Sequence, residues 1–240
     1  MNINVFKKEN HYNRRELLTF ISLFGVMGTI SFLLNGCNFY RGFRQIEGEV
    51  LLNGRSVSSE QMKGSEGVSV PSDASISTGA QASAVFVIGR DAFLMRENSR
   101  VELNPNLLDR KKSEISGFNL RSGAILSVFA RKKRTIRTLS VLIGIRGTGV
   151  YIETDSNKTY VCTCYGTSYM QVIDSPEINE TVTTFYHDQP RSIYSREKRI
   201  DHAPVINHSD QELILLERLV GRVPPFVKQQ RDEGRESNGY

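Results

Sequence analysis

From Ile46 to about Ile173 the chain alternates short apolar runs with turn residues. Val50-Leu51-Leu52 meets Asn53-Gly54, a dipeptide suited to a tight hairpin. Ala84-Val85-Phe86-Val87-Ile88 meets Gly89-Arg90-Asp91 and resumes as Ala92-Phe93-Leu94-Met95. Asn98-Ser99 precedes Val101 and Leu103, and Phe118-Asn119-Leu120 meets Arg121-Ser122-Gly123 before Ala124-Ile125-Leu126. Val150-Tyr151-Ile152, the turn Asp155-Ser156-Asn157 and Tyr160-Val161-Cys162-Thr163-Cys164 follow. Turns recur about every 8–12 residues, the spacing of an all-β sandwich, barrel or solenoid. No 12-residue helical pattern interrupts the strands, which argues against an α/β fold.

The two ends carry different patterns. Leu17 to Leu34 is an apolar stretch of 18 residues, and nothing charged occurs between Glu16 and Arg41. That length suffices to cross a bilayer. Lys7, Lys8, Arg14 and Arg15 precede it, so the positive-inside bias leaves 1–16 in the cytoplasm and 38–240 outside, in the periplasm. Asn13-Arg14-Arg15-Glu16-Leu17-Leu18 resembles a twin-arginine export signal, and Leu34-Asn35-Gly36-Cys37 resembles a lipobox that would lipidate Cys37. Residues 1–40 therefore read as a membrane anchor, a lipoprotein signal or a cleaved leader.

At the other end, 175–208 is polar and predicts an extended segment packed over the β-domain of 46–174. Ser209-Asp210-Gln211-Glu212 is a capping box, Leu213, Leu216, Leu219 and Val220 follow at helical spacing, and Gly221 with Pro224-Pro225 stops the run. This predicts one short amphipathic helix over 210–220 within the segment 175–227. The apolar-poor stretch 228–240 predicts a disordered tail.

Composition narrows the function classes only a little. The 240 residues carry 31 Lys+Arg against 26 Asp+Glu, a net +5 that is too small to announce a nucleic-acid binder. Three cysteines cannot form a dense disulfide scaffold. Gly-x-Ser-x-Gly, His-Glu-x-x-His and phosphate-loop signatures are absent, so the expectation is a non-enzymatic protein.

The order Thr78-Gly79, the apolar strand at 84–88, Asn98-Ser99 before Val101, Leu120 with Ser122-Gly123, then Ile145-Arg146-Gly147-Thr148 and a strand ending at Gly166 resembles the FecR family. The resemblance covers roughly 47–174. It implies a periplasmic, rolled, solenoid-like β-domain behind a single membrane span, binding a protein partner or a small ligand in signalling. Known members relay a transporter signal to a sigma factor. The 16 or so residues before the span are too few for an anti-sigma domain, so direct sigma control by this polypeptide is not expected.

Candidate chemistry is confined to a few residues. Cys162 and Cys164 alternate with Thr163, so on a strand both thiols share one face. Three readings fit the pair: small buried hydrophobes, a disulfide, or two thiolates of a metal site closed by His187 and His208. His208 is preferred to His202 because it sits just before the capped helix. No cofactor is otherwise expected; thiolates would select zinc or copper(I). Arg146, flanked by Gly144 and Gly147, is a candidate ligand-binding guanidinium with Thr148 beside it, or a partly buried arginine tying strands together. Arg131-Lys132-Lys133-Arg134 and Arg110-Lys111-Lys112 read as basic loops, solvated or facing anionic lipid or an acidic partner.

Overall fold

A computed structural model describes residues 41–62, 67–103 and 116–227. The chain divides into a unit over Met1–Cys37 and another over Asn38–Tyr240, and the described residues belong to the second. The expected span at 17–34, Cys37, the Arg110-Lys111-Lys112 loop and the tail at 228–240 lie outside the described residues. Among the described residues no helix is long and apolar enough to cross a membrane.

Among the described residues, fourteen strands form one sheet: β1 Arg41–Glu47, β2 Val50–Leu52, β3 Arg55–Val57, β4 Ser75–Thr78, β5 Ser83–Ile88, β6 Asp91–Met95, β7 Arg100–Leu103, β8 Gly117–Val128, β9 Lys133–Arg137, β10 Val141–Thr154, β11 Thr159–Val172, β12 Asn179–Thr184, β13 Arg191–Tyr194 and β14 Arg199–His202. The helices are α1, Ser59–Met62, and α2, Asp210–Leu219. The main path runs β14-β13-β11-β10-β9-β8-β7-β4-β2-β3, so the sheet ends in open edges rather than closing on itself. A branch β8-β6-β5-β1 leaves the path, and β12 attaches to β11. Pairings are antiparallel except for β8 with β9.

Strands β8 and β10 change partners along their length. Phe118 and Leu120 of β8 lie opposite β7, while Ile125, Leu126 and Val128 lie opposite β6 and β10. The sheet thereby curls around a carbon-rich core containing Phe86, Phe93, Phe118, Phe129, Ile125, Val150, Ile152 and Val161. Phe93 stacks on Phe86 at 4.8 Å and meets Phe118 and Phe129 edge-on.

The opposite face of β5, β6, β8, β10 and β11 is buried too. Val85, Val87, Leu94, Leu126, Tyr151, Tyr160, Cys162 and Cys164 point there, under Leu213 and Leu216 of α2 and Phe226 beyond it. Burial on both faces explains the unbroken apolar runs at 84–88 and 92–95, where a sheet wetted on one side would alternate.

The segment 175–208 does more than lie over the domain. It contributes β12, β13 and β14 to the sheet. Their polar character suits short strands near an edge: Val182 and Ile193 are buried, while Asn179, Thr181 and Arg199 face water.

The helix forms where its caps predict. Ser209 Oγ accepts from the Glu212 amide at 3.4 Å, and Glu212 accepts from the Ser209 amide at 2.9 Å. Gly221 adopts φ 70°, and the Arg222 amide reaches the Glu217 carbonyl at 2.8 Å.

Candidate metal centre

Cys162 and Cys164 occupy alternate positions of β11 and point to the face covered by the C-terminal arm, both fully buried and free of a disulfide. Thr163 between them points to the other face, where its hydroxyl meets Ser168 at 2.5 Å. His187 lies in the connection between β12 and β13, and its amide donates to the Cys164 carbonyl at 3.1 Å. His208 lies between β14 and the cap of α2, with its ring stacked on Tyr151 at 4.7 Å. The structure brings these four residues together, and one ligand atom from each falls within 4.8 Å of the others.

The hydrogen bonds assign the lone pairs. His208 Nδ1 lies 2.6 Å from the Ile206 carbonyl, which can only accept, so Nδ1 carries a hydrogen and neutral His208 has a bare Nε2. His187 Nε2 lies 3.1 Å from an Asp210 carboxylate oxygen, so that nitrogen is the donor. The remaining nitrogens, His208 Nε2 and His187 Nδ1, face one another at 3.0 Å, and Cys162 Sγ is 3.6 Å from His187 Nδ1. Two imidazole lone pairs do not face one another beside a sulfur unless a proton or a cation sits between them. Either a proton on His187 or a metal ion meets that need. Tetrahedral ligation at 2.0 Å for nitrogen and 2.3 Å for sulfur separates two nitrogens by ~3.3 Å and nitrogen from sulfur by ~3.5 Å. The observed spacings lie within a few tenths of an ångström of both.

The electrostatics run the same way. The hydrogen bond with Cys164 holds the Cys162 thiol down at about 4 against its burial, and His187 and His208 add to the effect. Burial pushes Cys164 upward, as does the thiolate beside it. Burial alone would lower His187, but hydrogen bonds to Asp210 and Cys162 raise it to about 9. Burial of Asp210 is outweighed by hydrogen bonds from His187 and Tyr186, which hold its carboxyl below the usual range.

The imidazole nitrogens turned away from the centre therefore each have an acceptor, Asp210 for His187 and the Ile206 carbonyl for His208. Such supports orient metal-bound histidines and fix their tautomers. Neither support was visible as such in the sequence, although Asp210 is the first residue of the predicted capped helix. The order Cys162–His187–Asp210 also matches a thiol nucleophile with its base. Here the sulfur has no exposed surface on which a substrate could land.

Other sequence candidates fall elsewhere. His202 accepts from Arg191 at 2.9 Å and stands outside the cluster. Arg146 is exposed, whereas Thr148 is fully buried with its hydroxyl bonded to the Thr167 carbonyl at 3.0 Å. The two side chains thus lie in opposite environments, on an irregularity of β10 between Arg146 and Gly149. A Cβ at Gly149 would come 2.5 Å from the Tyr165 ring. The Tyr165 hydroxyl in turn donates to Glu217 of α2. In the basic run, Arg131 and Lys133 are exposed, but Arg134 turns inward to Asp91 at 2.9 Å and is buried, so the run is not a uniformly solvated tip.

No family model matches the chain. No curated protein matches it either. Among solved structures, two crystal structures of a candidate anti-sigma factor from Parabacteroides distasonis ATCC 8503, at 1.65 and 2.50 Å resolution, are similar to it at 10% identity and a TM-score of 0.42. The match covers 54% of this chain and 59% of that one.

Proposed function

We propose that this protein is an exported, FecR-like envelope module whose β-domain binds one zinc ion through Cys162, Cys164, His187 and His208. The observation that carries the metal reading is the pair of inward imidazole nitrogens 3.0 Å apart, with the Cys162 sulfur 3.6 Å from one of them and each imidazole braced from behind by an acceptor. Zinc is favoured over copper(I) by charge. Two thiolates and two neutral imidazoles around a divalent ion sum to zero, which is the cheapest charge to bury; a monovalent ion leaves one negative charge in a dry site. Four protein ligands leave no open coordination position, so the ion serves architecture or sensing rather than hydrolysis.

The FecR-like order of residues over 47–174 and the apolar stretch 17–34 support the envelope part of the reading. The module would be held at the inner membrane with 38–240 in the periplasm, rolled around its core, and would meet an envelope protein or a small ligand in signalling. A reporter active only in the cytoplasm, fused after Tyr240, should then be silent.

The metal reading is tested by elemental analysis of the purified full chain. One zinc per chain is expected, with cobalt substitution giving the intense thiolate-to-metal absorption of a two-sulfur site. The double variant Cys162→Ser, Cys164→Ser should hold none. Equal metal content in wild type and double variant would refute the site.

A further inference from the structure

The four ligand atoms do not come from one rigid element. Both sulfurs are built into β11, in the interior of the sheet. Both imidazoles come from irregular stretches that cross the sheet face, 185–190 and 203–209. Each stretch passes through left-handed backbone beside its ligand: His187 itself has φ 40°, and Asn207 has φ 56°. Such conformations are uncommon for residues other than glycine and persist where the surroundings enforce them.

The second stretch leads into α2. Asp210, the first residue of that helix, receives a hydrogen bond from Tyr186 at 2.7 Å and braces His187. Two ligands, a carboxylate and a helix start are therefore tied at one point. Polar contacts hold the flanks: Arg96 bridges Glu212 and the Asn207 carbonyl, each at 2.8 Å, and Tyr160 bonds the Pro204 carbonyl at 2.9 Å. The leucines of α2 add apolar burial.

We infer that metal occupancy controls the C-terminal arm, the ion acting as a clasp that locks residues 203–212 onto the sheet face. The inference rests on the metal reading above and specifies its regulation. A metal ion bonds all four ligand atoms at once. A proton on His187 Nδ1 reaches only His208 Nε2 and Cys162 Sγ, and leaves Cys164, bonded to the Cys162 carbonyl, outside the shared set. An ion that binds only the closed arrangement shifts the arm toward it by mass action. When the ion leaves, His208 loses its reason to point inward and Asn207 can relax. The loosening starts in the linker, because α2 keeps its buried leucines.

Hydrogen exchange followed by mass spectrometry on the purified full chain tests this, with metal content measured on the same samples. Amides of 203–212 should exchange at least tenfold faster after chelation and return to slow exchange when zinc is restored. Those of β8 and β10 should change less than twofold. The Cys162→Ser, Cys164→Ser variant should exchange quickly in this segment even with zinc present. One zinc per chain with unchanged exchange over 203–212 would overturn the clasp and leave the metal site standing. Equal acceleration in β8, β10 and the arm would overturn it as well, since the ion would then support the whole fold. Absence of bound metal would remove both.

Discussion

The two faces of the sheet formed by β5, β6, β8, β10 and β11 are equally dry and differently made. The inner face is a phenylalanine stack with aliphatic neighbours, Phe86, Phe93, Phe118 and Phe129 among them. The outer face mixes Val85, Leu94 and Leu126 with three tyrosines and two thiols, and a chain segment with two histidines closes over it. Burial of carbon on the inner face is non-directional and tolerates small adjustments. The outer face adds directed bonds, such as those of His187 to Asp210 and of His208 to the Ile206 carbonyl. The difference teaches that equal dryness can be reached by carbon packing alone or by packing joined to directed polar contacts, and on the proposed metal reading only the second would depend on an ion.

The largest effect expected from separating them is on the inner face. Phe93→Ala removes a fully buried ring with three aromatic neighbours and should cost about 3–5 kcal/mol in chemical denaturation. A loss under 1 kcal/mol would mean that the stack is not the stabilising core. On the outer face, Cys162→Ser should leave metal-free stability nearly unchanged. It should abolish the zinc-dependent gain, about 3 kcal/mol at a hundredfold excess over Kd; a thermal shift by zinc that survives the change would contradict the contrast.

Smaller changes sharpen it. Asp210→Asn keeps the shape but weakens the brace behind His187, and zinc affinity in a chelator competition should fall about 10- to 100-fold. Gly149→Ala should cost about 1–3 kcal/mol by pressing on the Tyr165 ring. Less than that should be lost when Tyr165→Ala is already present, a non-additivity that a double-mutant cycle measures.

The smallest effect is in acid. Glu180 of β12 pairs with Arg191 at the start of β13 at 2.6 Å. The hydrogen bond from Arg191 holds the Glu180 carboxyl below its ordinary value. That stabilisation is complete above the unfolded carboxylate range, near pH 4.3, and is lost as pH falls through the lower folded value. With Glu180 partly solvated, the pair contributes about 1 kcal/mol or less. Glu180→Gln should flatten the acid limb of the stability curve by that amount.

Strand positions were legible from turn residues because Asn-Gly, Gly-Arg-Asp and Asp-Ser-Asn interrupt the apolar runs. The helix at 210–219 was legible because its cap, leucine spacing and terminal glycine agree. Strands β12 to β14 were not legible because a strand near an open edge needs only one or two buried apolar side chains, here Val182 and Ile193 beside the buried polar Thr184, Arg191 and Ser192, which is too few for an apolar pattern. The same-face geometry of Cys162 and Cys164 follows from strand periodicity alone. The approach of His187 and His208 does not: it depends on how 175–208 returns across the sheet. Arg134 shows the limit of reading charge runs, since its partner Asp91 is 43 positions away.

The order in which the chain presents its ligands bears on where an ion is acquired. Both thiols precede His187, and the second imidazole follows Cys164 by 44 positions. Exported unfolded and N-terminus first, the proposed module would offer a two-thiol half-site well before the closed set exists. On the proposed metal reading, two cysteines on an unfinished strand would hold a soft ion loosely, and the four-ligand cage would complete only once residue 208 has emerged and the sheet has paired. The compartment in which folding ends, rather than the one in which synthesis begins, would select the metal. The same domain produced in a cytoplasm would carry that compartment's ion.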